Sequence, residues 1–239
     1  MLKEAISYLV SLKENKTYTI NGEVYSDHDL HRIPPHVDRP DRLTVNGLDS
    51  IVKLVRNELD METNLPVFIR VAGPRLVKVF SSLDEYMDRD DLYEAACDAP
   101  EFAYGWMEHE KAIIALRSMF VPNADGTEYL LDLLSRISKD DGVTSDDNGV
   151  SQTVTTRSGV LLKKFEAVKS RIPLAPFRTF LEVEQPTSEF ILRVDENCRI
   201  ALIEADGGAW KMEAKRRIAD YFTCNLSEEI DAGKVVVMS

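Results

Sequence analysis

Residues 176–222 read PFRTFLEVEQPTSEFILRVDENCRIALIEADGGAWKMEAKRRIADYF and contain strand-like runs, a Gly-Gly break and the clearest amphipathic helix of the chain. EFILRV and RIALIEA alternate in hydrophobicity around the loop Asp195–Cys198, which predicts an antiparallel hairpin. RTFLEVEQ, immediately before them, predicts one more strand. Asp206-Gly207-Gly208 interrupts the sheet, and a helix is predicted over Ala209–Phe222. Its inward-facing residues are Trp210, Ala214, Ile218, Tyr221 and Phe222.

The sequence on both sides of this stretch extends the sheet. VSQTVTTRSGVLLKKFEAV alternates about a turn at Ser158-Gly159 and predicts two strands, and KVVVMS predicts a terminal strand. Residues 148–239 are therefore interpreted as an antiparallel meander backed by the helix over Ala209–Phe222. KDDGVTSDDNG, just before this region, is polar, acidic and contains glycine, which predicts a mobile linker.

The first 147 residues mix helical and strand patterns. The predicted elements, in order, are an amphipathic helix over Leu2–Lys13, a hairpin turning at Asn21-Gly22, an irregular Pro- and His-rich arm, a strand Leu43–Val45, a helix capped by Asn46 and running to Leu59, a hairpin around Gly73-Pro74, LYEAACDA as strand or helix, a helix from Tyr104 or Glu108 to Phe120, and a helix Glu128–Ser138. The core side of the helix ending at Phe120 is assigned to Ile113, Ile114, Leu116 and Met119.

These patterns predict an α+β protein. The expected regions are an N-terminal helix, hairpin and arm at 1–42, a mixed centre at 43–147, and the sheet with its helix and end strand at 148–239. At 239 residues the chain has ample length to bury a core, and we expect one compact body.

Charge is distributed unevenly along a chain whose net charge is −12. From Asp84 to Asp147 there are 17 acidic and 5 basic residues, whereas Ser151–Phe180 has 6 basic residues and only Glu166 as an acid. The acidic total argues against a protein that simply coats nucleic acid. The asymmetry indicates complementary surfaces that could meet within the fold or between subunits, or a solvated acidic face beside an incidentally basic strand pair.

The cysteines and the apolar runs indicate a cytoplasmic protein. Cys97, Cys198 and Cys224 lie far apart without a CxxC pair, which argues against a disulfide scaffold. The N-terminus lacks the apolar core of a signal peptide, and no run approaches the length needed to span a bilayer. No membrane association is expected.

The arm contains the candidate metal ligands His28, His31, His36 and Asp38. Imidazole and carboxylate groups suit zinc, manganese or iron. Because prolines break the arm and closed sites draw ligands from rigid elements, a solvated or interface-forming arm is the favoured interpretation. No cofactor is expected.

No stretch carries a specific catalytic motif. His109 lies between Glu108 and Glu110 at a predicted helix start, where an exposed histidine is usually inert. Glu182 and Glu184, with Glu166 and Lys169 nearby, lack the E-x-K spacing of a nuclease site. Asp206-Gly207-Gly208 could hold an anion on a helix N-terminus, but a turn requiring positive φ explains the glycines better. The protein is interpreted as non-enzymatic.

The basic strand pair, Arg157 to Arg178, and the end strand are the candidate interface. Phe165, Phe177 and Phe180 interleave with the basic residues, so the pair could stack single-stranded bases, but core packing with a subunit contact is favoured. An apolar end strand that is not covered would pair with another chain. The candidate interface residues are Arg157, Lys163, Lys164, Lys169, Arg171, Val235, Val236 and Val237.

A family resemblance spans roughly Asp38 to Phe222. VDRPDRLTVNGLDSIVKLVRNE, a Val/Phe-rich stretch, WMEHEKAIIALRSMF, and VSQTVTTRSG before PFRTF resemble the YfdQ-like family of phage and prophage proteins. The segments HDLHRIPPH and DGGAWKMEAKRR depart from the family pattern. The resemblance implies a phage or prophage origin and action inside the infected bacterial cell, and it carries over no catalytic residue.

The expected function is therefore that of a phage accessory protein that self-associates into a ring, shell or scaffold. The alternative is a DNA-transaction or counter-defence factor that binds a host protein or single-stranded nucleic acid.

Overall fold

The computed structural model of the chain describes residues 3, 5, 6, 8, 16–26, 41–58, 65–136, 142–147, 152–158, 161–195 and 197–239, with the backbone alone at 142–147, 152–158 and 161–167. The chain has an α+β fold and divides into two units. The smaller unit consists of Met1–Asp41 with Leu83–Asp90, and the larger of Arg42–Ser82 with Asp91–Ser239.

Strands and helices alternate irregularly along the described residues. The strands are β1 (Thr17–Ile20), β2 (Glu23–Ser26), β3 (Leu43–Val45), β4 (Val67–Gly73), β5 (Leu76–Phe80), β6 (Asp91–Ala96), β7 (Trp106–Met107), β8 (Gly142–Asp147), β9 (Gln152–Ser158), β10 (Leu161–Ala167), β11 (Ile172–Leu174), β12 (Ser188–Val194), β13 (Ile200–Glu204) and β14 (Val235–Met238). The helices are α1 (Leu48–Glu58), α2 (His109–Ser118), α3 (Tyr129–Ser135), α4 (Trp210–Asn225) and α5 (Ser227–Asp231), and a π-helical turn, Ala124–Glu128, leads into α3.

The smaller unit contains the predicted N-terminal hairpin. β1 and β2 pair antiparallel, with Ile20 opposite Glu23. Asn21 and Gly22 both have positive φ, at 54° and 85°. This is the backbone that a tight two-residue turn requires, and the Asn-Gly pair supplies it at low cost. The hairpin prediction is confirmed.

A five-stranded mixed sheet forms one half of the larger unit. Its order is β14-β4-β5-β6-β3, with β14 parallel to β4, β3 parallel to β6, and the other pairs antiparallel. The predicted hairpin around Gly73-Pro74 is confirmed as β4–β5, and LYEAACDA belongs to a strand, β6. One face packs on α1 and α4, and the buried residues there include Ile51, Val55, Ile69, Val77, Val79, Ile218, Phe222 and Val235.

The helix over Ala209–Phe222 therefore packs elsewhere than predicted. Observed as α4, it covers the five-stranded sheet rather than the sheet formed by the preceding strands. The apolar stripe of α4 predicts that the helix packs against an apolar surface. The apolar face of the sheet that contains β12 and β13 is already covered by α2 and α3. The stripe does not encode which sheet is available.

A four-stranded antiparallel sheet forms the other half of the larger unit. Its order is β11-β12-β13-β7, and the predicted hairpin β12–β13 is confirmed, with Val194 opposite Ile200. The strand predicted for RTFLEVEQ is wrong, because residues 178–185 form turns. The Gln185 side chain accepts from the amides of Arg178 and Thr179 and donates to the carbonyls of Phe180 and Val183. These local bonds replace a strand ladder.

The polar stretch interpreted as a mobile linker contains a strand. Gly142–Asp147 is β8, which pairs antiparallel with β9, and β9 pairs with β10 in the predicted hairpin. β8–β10 make a separate three-stranded sheet, so the predicted single meander is wrong as well. Polar composition alone does not distinguish a loop from a strand, because antiparallel strands can carry polar residues along one face.

Two further assignments differ from expectation in the helices. Asn46 does not cap α1: its side chain donates to Asp98, and the Leu48 amide donates instead to Glu182 Oε1 at 2.8 Å. Ile114, assigned to the core, is 57% exposed, whereas Ala112 is buried beside Leu116.

Candidate functional site

β14 lies at one edge of the five-stranded sheet, and its pairing with β4 determines which of its backbone groups face outward. Val235 pairs with Val67 and Val237 with Ile69, and the Val67 amide donates to the Lys234 carbonyl at 2.9 Å. In a parallel ladder, alternate residues direct both backbone groups to the same neighbour. The groups of 234, 236 and 238 therefore face β4, and those of Val235 and Val237 face away from it.

The outer side of β14 is an open strand edge within the part of the chain that the structure describes, since no described strand pairs with it. The predicted end strand is thus covered on one side by β4. Val235 is buried in the core, whereas Val236 and Met238, on the opposite face of the sheet, are 37% and 36% exposed. The residues Val235–Met238 include no charge and no proline.

The predicted basic residues of the interface do not form one described surface. Arg157 lies on β9 and Lys163 and Lys164 lie on β10, where only the backbone is described. Lys169 is engaged within the chain: its ammonium lies 4.5 Å from the centroid of the Tyr129 ring and donates to the Asp125 carbonyl at 3.3 Å. Arg171 is exposed.

Arg178, counted as part of the basic face, is instead a buried side chain that is 5% exposed. Its guanidinium pairs with Glu204, donates to Ser188 and to the Pro186 carbonyl, and lies 4.0 Å from the centroid of the Trp210 ring. Phe180 is also buried. Arg178 and Phe180 are therefore not available to bind or stack single-stranded bases on the basic strand pair.

The Arg178 network joins β12, β13 and the start of α4. Ser188 Oγ donates to Asp206 Oδ2 at 2.5 Å, and the Gly208 amide donates to Asp206 Oδ1 at 2.9 Å. Burial acts to raise the pKa of Asp206, but hydrogen bonds from Ser188 and from the Gly208 and Trp210 amides, with the charge of Arg178, lower it overall. These interactions favour the charged form of the Asp206 carboxylate.

The turn Asp206-Gly207-Gly208 has the geometry that the favoured interpretation expected. Gly207 and Gly208 have φ of 64° and 81°, which glycine adopts without strain. The Asp206 carboxylate accepts the hydrogen bond of the Gly208 amide, so this amide is not available to a bound anion. A groove of about 630 Å³ opens beside this turn, and its lining includes Ser188, Asp206, Trp210, Glu213, Lys215 and Arg216.

The other residues weighed for catalysis have structural partners. His109 is half-buried rather than exposed, and its Nε2 lies 2.8 Å from the Leu134 carbonyl at the end of α3. Glu182 accepts from the first turn of α1, whereas Glu184 pairs with Arg217 at 3.2 Å. Glu182 and Glu184 therefore act on different partners and do not converge on one site.

The candidate metal ligands His28, His31, His36 and Asp38 lie outside the described residues. Among the residues that the structure does describe, no group of three or more His, Cys, Asp or Glu side chains is placed to hold a metal ion. No described helix combines the length and the apolar character needed to cross a bilayer.

Sequence reasoning identified the end strand as a candidate but missed the burial of Arg178. The clue available for Arg178 was its position between Phe177 and Phe180, where a lone basic residue interrupts an apolar run. The parallel pairing of β14 with β4 had no local signal, because it joins segments more than 160 residues apart.

Fold and site together define an α+β protein whose edge strand β14 has no partner on its outer side among the described strands. No protein-family model matches it, and no curated protein or solved structure is significantly similar to it.

Proposed function

We propose that this protein is a non-enzymatic accessory protein that self-associates into a homo-oligomer. The observation that carries the proposal is the open edge of β14. Val235 and Val237 direct their amides and carbonyls away from β4, and these groups match the ladder of another strand.

The composition of β14 supports association rather than exposure. Proteins usually blunt an edge with a charge, a proline, a bulge or a very short strand. The two edge strands are both short and both follow a basic residue, but β3, at the opposite edge, contains the polar Thr44, and Arg42 before it pairs with Glu94 at 3.1 Å. β14 has neither a charge nor a proline between Val235 and Met238.

Charge and the roles of the polar residues support the same function. Of the basic segment Ser151–Phe180, the residues Arg157, Lys163, Lys164 and Arg171 are not engaged by the contacts described above. They would attract the acidic segment Asp84–Asp147 between copies, which assists encounter and orientation. The groups considered for catalysis have structural roles. Glu182 caps α1, His109 contacts α3, and Ser188 belongs to the Arg178 network.

A phage or prophage context completes the proposal. The resemblance of Asp38–Phe222 to the YfdQ-like family supports an accessory protein acting in the cytoplasm of an infected cell. There it would form a ring, shell or scaffold and need no cofactor. The alternative is a factor that binds a host protein or single-stranded nucleic acid, and its nucleic-acid form has less support because Arg178 and Phe180 are buried.

The oligomeric state tests the proposal. Light scattering coupled to gel filtration, at physiological salt and micromolar concentration, is expected to give a multiple of the 27.0 kDa chain mass. Pairing through strand backbone persists at 1 M salt, whereas association through charge alone is screened. A mass of 27.0 kDa across the concentration range contradicts the proposal.

A further inference from the structure

The composition of β14 and the symmetry of a homodimer indicate which strand pairs with its outer edge. This inference rests on the self-association proposed above. A strand whose four residues are apolar pairs best with another apolar strand. Within the described residues, β14 combines such a composition with an open edge. A second copy of β14 is therefore the occupant with matching chemistry, and a two-fold dimer is the commonest closed assembly.

Symmetry restricts how two copies of β14 can pair. Antiparallel strands related by a two-fold axis perpendicular to the sheet place residues from the same face opposite one another. The outward-facing Val235 and Val237 must then meet outward-facing residues of the second copy. The axis can pass through Val236, so that Val235 meets Val237, or through Val237, so that Val237 meets itself.

The exposed side chains distinguish the two registers. An axis through Val237 places Val236 opposite Met238 of the second copy, so both partly exposed apolar side chains are covered by apolar neighbours. An axis through Val236 places Met238 opposite Lys234 instead. It sets a lysine against a thioether.

We propose that two copies of this chain pair antiparallel through β14, about a two-fold axis at Val237, and join their five-stranded sheets into one continuous sheet. Both copies then present α1 and α4 on the same face of that sheet. The contact is isologous, so it closes as a dimer and leaves other surfaces for any larger assembly.

Single-cysteine crosslinking tests the register. In a Cys224→Ser background, which removes the exposed native thiol, Val237→Cys places two thiols on Cα atoms about 5.5 Å apart in a hydrogen-bonded pair. This distance suits a disulfide. Val236→Cys and Met238→Cys serve as matched controls, because each residue and its own copy are separated by about two residues along the strand, beyond the roughly 7 Å limit.

The expected result is a disulfide dimer for Val237→Cys that exceeds either control at least about tenfold under mild oxidation. The double variant Val236→Cys/Met238→Cys is expected to crosslink as well, since these two positions face one another. A dominant crosslink from Val236→Cys alone overturns the register, and no crosslink from Val237→Cys in an oligomeric protein overturns the strand pairing.

Backbone substitution tests the same contact without cysteines. Val237→Pro removes an amide that faces away from β4 and is expected to weaken dimerisation at least about tenfold while keeping the circular dichroism of the wild type. Val237→Ala retains the amide and is the matched control. An unchanged dimer dissociation constant for folded Val237→Pro overturns the pairing. If the proline variant does not fold, the crosslinking of Val237→Cys alone tests whether the two copies pair through β14.

These outcomes separate this inference from the proposed function. A wild-type chain that is oligomeric yet gives no Val237→Cys crosslink retains self-association and rejects the β14 contact. A wild-type chain that is monomeric rejects both.

Discussion

Arg178 shows how a single charged side chain is stabilised inside this protein. The guanidinium is buried against the Trp210 ring and bonded to Glu204, Ser188 and Pro186. A buried charge is tolerated only when its hydrogen bonds are largely made, and removal of one partner leaves the others unpaired. Arg178 thereby fixes β12, β13 and the start of α4 relative to one another.

Replacement of Arg178 is expected to destabilise the fold. Arg178→Met retains most of the apolar contact but leaves Glu204 and Ser188 without their buried donor, so the free energy of unfolding should fall by about 3 kcal/mol. Urea denaturation followed by tryptophan fluorescence measures the change. Arg216→Met is the control, because Arg216 is exposed and pairs with Glu213 on the surface, and its expected cost is below about 1 kcal/mol. Equal losses for the two variants would contradict the role given to Arg178.

The lowered pKa of Asp206 predicts a dependence of stability on pH. Burial opposes the shift, but Ser188, the backbone amides and Arg178 prevail and favour the charged form in the folded protein. A folded-state pKa below the unfolded value of about 3.9 means that the stabilisation is present above that pH. It is lost as the pH falls through the folded pKa.

Asp206→Asn should therefore lower the free energy of unfolding at pH 7, and the difference from wild type should shrink below about pH 4. Urea titrations at pH 7, 4 and 3 measure this difference. Asp220→Asn, on the exposed side of α4, provides the matched control. A difference for Asp206→Asn that is constant with pH would show that its charge does not matter.

For individual residues, the sequence predicts the backbone conformation better than it predicts which groups surround the side chain. Asn21-Gly22 and Gly207-Gly208 occupy the positive-φ positions expected of them, because that preference is intrinsic to these residues. The burial of Arg178 and Phe180 depends on which distant groups surround them. A count of charged residues along a segment cannot distinguish a solvated arginine from one that is buried and paired.

Among the elements, α1 is stabilised at its N-terminus by a residue distant in the sequence. Glu182 accepts from the Leu48 amide, and a Cβ added at Gly47 would lie 2.6 Å from Glu182 Oε1, so glycine provides the space for this carboxylate. A carboxylate at this position satisfies an orphan amide and interacts favourably with the helix dipole.

Glu182→Ala is expected to reduce the free energy of unfolding by about 1 kcal/mol, the usual cost of a lost N-cap. Glu184→Ala is the matched control, since Glu184 is two residues away, exposed and paired only at the surface with Arg217. Chemical denaturation of both variants measures the two costs. An effect of Glu184→Ala equal to or larger than that of Glu182→Ala would contradict the capping role.

Local hairpins were predictable, whereas the choice of partners for distant elements was not. β4–β5, β9–β10 and β12–β13 follow from alternation interrupted by turn residues, because both strands and the turn lie in one window of sequence. The docking of α4 and the pairing of β14 with β4 join remote segments. Periodicity specifies an apolar stripe but not the surface that it meets.

On the scale of the whole molecule, both apolar clusters belong to the larger unit. Every buried residue of the two clusters lies between Leu48 and Val235. A chain shortened to residues 42–239 is therefore expected to retain wild-type circular dichroism per residue and a cooperative urea transition. A further truncation that removes residues 234–239 deletes the buried Val235 and should lower the transition midpoint. Loss of cooperativity in the 42–239 chain would contradict this assignment of the core.

Self-association of the chain is measured by the mass of the intact protein in solution. Light scattering at physiological salt is expected to give about twice the 27.0 kDa chain mass, or a larger even multiple if dimers assemble further. Val237→Pro should halve the mass of a simple dimer. A wild-type mass of 27.0 kDa at every concentration from nanomolar to tens of micromolar would contradict the account.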